Sequence, residues 1–181
     1  VAVVKLSKLR SYLIVLLGFL SEKPLQVNYY HSRKMEALVN AKLKAENFDS
    51  VLVHLIRMAP YVIENEVILR QAQDDAGKGT SIKKVIEMTD AISLNYKRSR
   101  EHGSRGFMGK IYRIEENRVR KYEEVCVKNF DLSVVVSPTD REWLLKINSQ
   151  VEQKIKLIPL GISEDFLNYV PQVDYDQNLI V

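Results

Sequence analysis

Short apolar runs, rich in β-branched residues and lacking polar alternation, constrain the fold most. "SVLVHLI" spans residues 50–56, "LSVVVS" 132–137 and "IKLIPLG" 155–161, and "IKKVIEMTD" at 82–90 holds a further strand. A strand that is apolar on both faces belongs inside a parallel sheet. The runs at 132–137 and 155–161 stop at a small polar residue or a Pro/Gly turn, "SP" after 136 and "PLG" at 159–161. The segments between the runs read as helices. "SRKMEALVNAKLKAEN" (32–47) has Ser32 as N-cap and Met35, Leu38, Val39 and Leu43 on one face. "PYVIENEVILRQAQ" (60–73) begins with Pro60 in its first turn. A long helical region covers about 92 to 128, with a break at "HGSRGFMG" (102–109), and "PTDREWLLKI" (138–147) starts at Pro138 or Thr139.

Strands alternating with helices predict an α/β fold, a Rossmann-like parallel sheet with helices on both faces. Val1–Val4 reads as the tail of a buried strand and "PLQVNYY" (24–30) as a linker or short extended piece. "DDAGKGTS" (74–81) reads as an exposed polar loop. Leu6, Leu9, Leu13, Leu16, Leu17 and Leu20 keep a helical period over 6–20. The apolar stretch inside it, "YLIVLLGFL", has nine residues, far fewer than the ~20 that span a bilayer. A buried amphipathic helix explains it best; Lys5, Lys8 and Arg10 leave a membrane-surface role open. One cysteine, Cys126, excludes an internal disulfide framework and a cysteine zinc cluster, and a reducing cytoplasm is the simplest compartment.

In open parallel sheets the ligand crevice lies past the carboxyl ends of the strands. His54 and Arg57, then Thr89, Asp90 and Ser93, then Ser137 and Thr139, then Gly161 follow the predicted strands. His54 is either a core or hydrogen-bonded histidine or an imidazole at the crevice, suited to hydrogen bonding or proton transfer with a ligand. Arg57 is a solvated loop residue or a fork that holds an anionic ligand group. Asp90 is a helix N-cap or orients a ligand hydroxyl. Ser137 and Thr139 fit caps of the helix at 139–147, and Gly161 fits a turn.

The segment from Tyr96 to Lys121 carries nine cations against three carboxylates, a net +6 that exceeds the +4 of the whole chain. Lys97, Arg98, Arg100, Arg105 and Lys110 form its first half. A solvated helix face is the plain account, an anionic membrane surface the sharper one. Nucleic acid is disfavoured: no recognisable binding motif is present, and Tyr96, Phe107, Tyr112 and Tyr122 are spaced like a helix face. Glu115 with Glu123, and Glu116 with Glu124, match a Glu-x7-Glu spacing. Eight residues rotate a helix by roughly 800°, about 80° out of alignment, so surface ion pairs with neighbouring cations explain these residues better.

"FDSVLVHLIRMAPYV", "IEMTDAISLNYKR", "FDLSVVVSPTDREWL" and "IKLIPLGISEDFL", with "LSEKPLQVNYYHSRKM" ahead of them, resemble the N-terminal half of family 4 retaining glycosyltransferases, closest to the exopolysaccharide-associated subgroup. The resemblance covers about residues 1–170 and implies the acceptor-side domain of a GT-B fold, in which two Rossmann-like domains face each other across a cleft. It implies transfer of a sugar from a nucleotide-sugar donor to a glycan or lipid-linked acceptor, without a metal or resident cofactor. His54 and Asp90 are then the catalytic candidates, and Arg57, Ser93, Ser137 and Gly161 the acceptor-binding ones. It further implies that a first strand and a glycine-rich loop precede Val1, that 171–181 is a linker, and that a nucleotide-sugar domain lies beyond. The isolated chain is accordingly expected to be inactive, cytoplasmic or peripheral on the inner membrane face, and open to self-association or a companion chain. Two departures stand out: Leu160 replaces the Asn of the family's "PNG" turn, and 70–81 reads as an insertion. The alternatives are a non-catalytic binding or scaffold module on the same sheet, or a truncated remnant.

Overall fold

The computed structural model describes residues 2–18, 21–65, 82–102 and 106–161. The expected loop at 74–81, the insertion at 70–81, the end of the helix at 60–73, the linker at 171–181 and Arg105 lie outside the described residues.

Among the described residues four parallel strands form one sheet in the order β1-β2-β3-β4, an α/β Rossmann-like architecture. The strands are β1 (Ser50–His54), β2 (Lys83–Thr89), β3 (Leu132–Val135) and β4 (Ile155–Leu157). The helices among the described residues are α1 (Lys8–Gly18), α2 (Leu25–Tyr30), α3 (Arg33–Ala45), α4 (Pro60–Ile63), α5 (Ile92–Glu101), α6 (Phe107–Asn129) and α7 (Pro138–Ile147). Short 3₁₀ turns cover Ile56–Met58 and Ser149–Lys154.

Local chemistry accounts for several boundaries. Ser32 accepts from the Met35 N–H at the start of α3, as its sequence position predicts. Ser137 accepts from the Asp140 N–H at 3.2 Å and so caps α7, with Pro138 in the first turn. The long helical region breaks where expected: α5 ends at Glu101, and α6 begins at Phe107 after Gly106 at φ +73°.

Three expectations fail. Residues 2–7 form no strand and Val3 is 83% exposed, so apolar character alone did not recruit this segment to the sheet. The segment 24–30 is helical from Leu25, not extended. The Leu25 N–H donates to the Glu115 carboxylate at 2.8 Å, so a side chain 90 residues away satisfies one of the helix's orphan donors. The face of α1 is not wholly buried, since Leu9 is 75% exposed.

Side-chain alternation divides the sheet into two faces. Val53, Ile86, Met88, Val135 and Ile155 join Ile56, Val119, Cys126, Phe130 and Leu144 in the packed core. The other face carries Leu52, Val85 and Leu132 in one register row, and His54, Glu87, Val134 and Lys156 in the next. β1 pairs only with β2 among the described residues, and its Leu52 is 70% exposed. The apolar run read as an interior strand is therefore an edge here.

Candidate functional site

His54 ends β1 and is the register partner of Glu87 on β2. Cross-strand partners in register project from the same face, so the two side chains meet. The His54 Nδ1 is paired with the Glu87 carboxylate, and the Thr89 hydroxyl donates to the other carboxylate oxygen at 2.6 Å. The Thr89 hydroxyl and then the His54 imidazole hold the Glu87 carboxyl below its ordinary range, against a smaller opposing effect of burial. His54 remains open to solvent, its side chain 66% exposed.

The backbone beneath this cluster is strained. Leu55 has φ +70° and Thr89 φ +61°, the two non-glycine residues with positive φ among the described residues. Such conformations cost of order 1–3 kcal/mol each and persist only where the surroundings enforce them. The surroundings are visible here. The Leu55 N–H extends the ladder to the Glu87 carbonyl at 2.7 Å. The Asp90 N–H turns back to the Met88 carbonyl at 2.8 Å, a three-residue turn about Thr89, and the Val136 N–H holds the Thr89 carbonyl at 3.2 Å. The β2–β3 register shifts between Glu87 and Thr89, an irregularity that re-aims side chains at a strand end. Strain, register shift and hydrogen-bonded dyad thus coincide at the carboxyl edge of the sheet, where β1 stops at His54 rather than running on to residue 56.

The other candidates are placed differently. Arg57 sits in the 3₁₀ turn with its guanidinium 4.6 Å from the centre of the Tyr30 ring, a cation–π contact. Asp90, next in the chain after Thr89, is exposed, and it does not cap α5. That helix is capped from elsewhere: Asp140 accepts from the Ala91 N–H at 3.0 Å, and Glu123 from the Ser93 N–H at 3.0 Å. Ser93 is fully buried; its hydroxyl donates to Glu123 at 2.5 Å and accepts from the Trp143 indole at 2.8 Å. It faces the core and not the crevice. Ser137 is committed to Asp140, to which its hydroxyl donates at 2.5 Å. Gly161 is exposed, and a side chain there would meet nothing within 4 Å, so no close approach requires glycine.

The surface ion pairs expected of the Glu-x7-Glu residues are found for Glu124, with Lys128 at 2.7 Å, while Glu116 reaches across to Arg100 on α5 at 2.9 Å. Glu115 pairs with Arg118 at 3.0 Å, but it and Glu123 are buried. Each takes the N-terminal donors of a different helix, α2 and α5, because the 80° offset points them at different neighbours. Burial pushes the Glu123 carboxyl up to about 7, with the Ser93 hydroxyl and the Ser93 and Ile92 N–H groups opposing the rise. Lys97 lies 4.7 Å from the Trp143 ring centre, so Lys97 and Arg100 are engaged within the fold, while Arg98 and Lys110 are exposed.

Glu87 is the residue that sequence reasoning missed. Its signal was a lone carboxylate in "VIEMT", flanked by core residues Ile86 and Met88 and aligned by alternation with Thr89. Among the described residues no group of three or more His, Cys, Asp or Glu side chains is arranged to hold a metal, and no helix is long and apolar enough to cross a membrane. No family model, curated protein or solved structure matches the chain.

Proposed function

We propose that the chain is the acceptor-side Rossmann-like portion of a retaining glycosyltransferase, which passes a sugar from a nucleotide-sugar donor to a glycan or lipid-linked acceptor. The observation that carries this reading is the exposed His54–Glu87–Thr89 cluster on strained backbone at the carboxyl edge of a parallel sheet. Glu87 engages Nδ1, which fixes the imidazole orientation and leaves Nε2 for the ligand. In this reading Nε2 accepts a hydrogen bond from a sugar hydroxyl, and the exposed Asp90 carboxylate orients a second one. Stabilising the departing diphosphate needs cations or helix N-termini. The α5 N-terminus is already occupied by Glu123 and Asp140, so this reading assigns diphosphate binding to the second domain of the full enzyme.

The test uses the full chain and octyl β-glucoside below its micellar concentration, as a probe that combines a sugar with an alkyl tail. Saturation-transfer NMR should show contact at the sugar ring protons, lost in His54→Ala and weakened in Glu87→Gln. Saturation of the tail alone, or an unchanged signal in His54→Ala, would refute the assignment and favour a non-catalytic module.

A further inference from the structure

The outer face of α6 is an amphipathic surface that the His54 cluster does not use. Phe107, Lys110, Ile114, Asn117, Lys121 and Val125 recur at spacings of three and four, and all six are exposed. They make one continuous stripe along a helix of 23 residues, roughly 34 Å long. Phe107 is 76% exposed and Ile114 46%. Arg113 and Arg120, also exposed, flank the stripe.

Of the carboxylates of the same helix only Glu124 borders this face, in a groove with Asn117, Arg120 and Lys121. Glu115 and Glu123 are buried, Glu116 is tied to Arg100, and Glu124 is tied to Lys128. Glu22, on the connection between α1 and α2, also borders Lys121, across the groove on the other side. The first turns of α6 thus present cations and large apolar side chains together.

We infer that this face docks on an anionic lipid surface, with Lys110, Arg113 and Lys121 at headgroup depth and Phe107, Ile114 and Val125 below it. The charge calls for a polyanion. The interleaved apolar side chains decide between polyanions, because a phosphodiester backbone offers Phe107 and Ile114 nothing to bury against, whereas the acyl boundary does. The inference is independent of sugar transfer, since it uses neither His54 nor Glu87.

Co-sedimentation of the full chain with vesicles tests it. Vesicles of phosphatidylglycerol and phosphatidylcholine in equal parts should bind the chain, and added salt should weaken that binding. Vesicles of phosphatidylcholine alone should bind it far less. Each cation removed should weaken binding roughly fivefold, so the combined Lys110→Gln, Arg113→Gln, Lys121→Gln variant should lose on the order of a hundredfold. Phe107→Ser should weaken binding with no change in its salt dependence. All four positions are exposed, and circular dichroism would confirm that the variants keep their helices. Equal binding to both vesicle types, unchanged binding by the triple variant, or tighter binding to a DNA duplex than to anionic vesicles would each overturn the proposal.

Discussion

Glu123 provides the sharpest test of the core. Its carboxylate is fully buried at the N-terminus of α5, where it takes the Ser93 N–H at 3.0 Å and the Ser93 hydroxyl at 2.5 Å. The Trp143 indole donates to that same hydroxyl, so three elements share the network. Burial raises the carboxyl from 4.5 to about 7. A carboxyl raised on folding binds more protons in the native state, so it favours folding most below its unfolded value. That contribution is lost as pH rises toward the folded value. Between pH 5 and pH 8 the loss amounts to about 2–3 kcal/mol for a shift of this size. Glu123→Gln keeps the shape and an acceptor for the Ser93 N–H but cannot titrate. The Ser93 hydroxyl can turn to accept from the new amide, so the substitution itself should cost about 1 kcal/mol. Urea unfolding at pH 5, 6, 7 and 8 reads the effect directly. The wild-type curve should fall relative to the variant by about 2–3 kcal/mol, on the order of a 1 M difference in midpoint. Near pH 8 the variant should match or exceed the wild type. The comparison cancels other titrating groups, including the neighbouring Cys126, whose thiol burial pushes up and out of this window. Parallel curves for the two proteins would refute the reasoning, because they would mean that Glu123 carries the same charge folded and unfolded.

Two further expectations concern backbone and edge. Gly106 precedes α6 at φ +73° and ψ −139°, close to a region that only glycine enters freely, and a Cβ there would touch nothing within 4 Å. Gly106→Ala should therefore cost about 1–3 kcal/mol through conformation alone, read as a lowered urea midpoint, and an unchanged midpoint would show that the turn tolerates a side chain. Leu52→Lys places a charge on the exposed edge strand β1, a common defence against edge pairing; the chain should elute more uniformly and later on sizing chromatography, and an identical profile would show that this edge does not self-associate.

The site was half legible in the sequence. His54 was picked out by its place at the end of an apolar run, and it does stand at a strand end facing solvent. Its partner was not, because nothing local pairs residues 33 apart; parallel register alone sets Glu87 beside it. Ser93 looked like a crevice residue for the same reason that His54 did, since it follows a strand. It points inward because α5 begins by presenting its first donors to Glu123 and Asp140. The basic segment was legible as charge and not as surface. Helix pairing consumed Arg100, a ring took Lys97, and an uninterrupted stripe was left on α6.

By itself the sequence determined the α/β alternation, the parallel sheet, and the helix starts at Ser32 and Ser137, since apolar period and capping act over a few residues. Tertiary structure decided the helical state of 24–30, the inward turn of Glu115, Glu123 and Ser93, and the strained junctions at Leu55 and Thr89. In each of those cases a partner distant in the chain satisfies a polar group or fixes a dihedral, and contacts between distant segments exist only once the sheet has assembled.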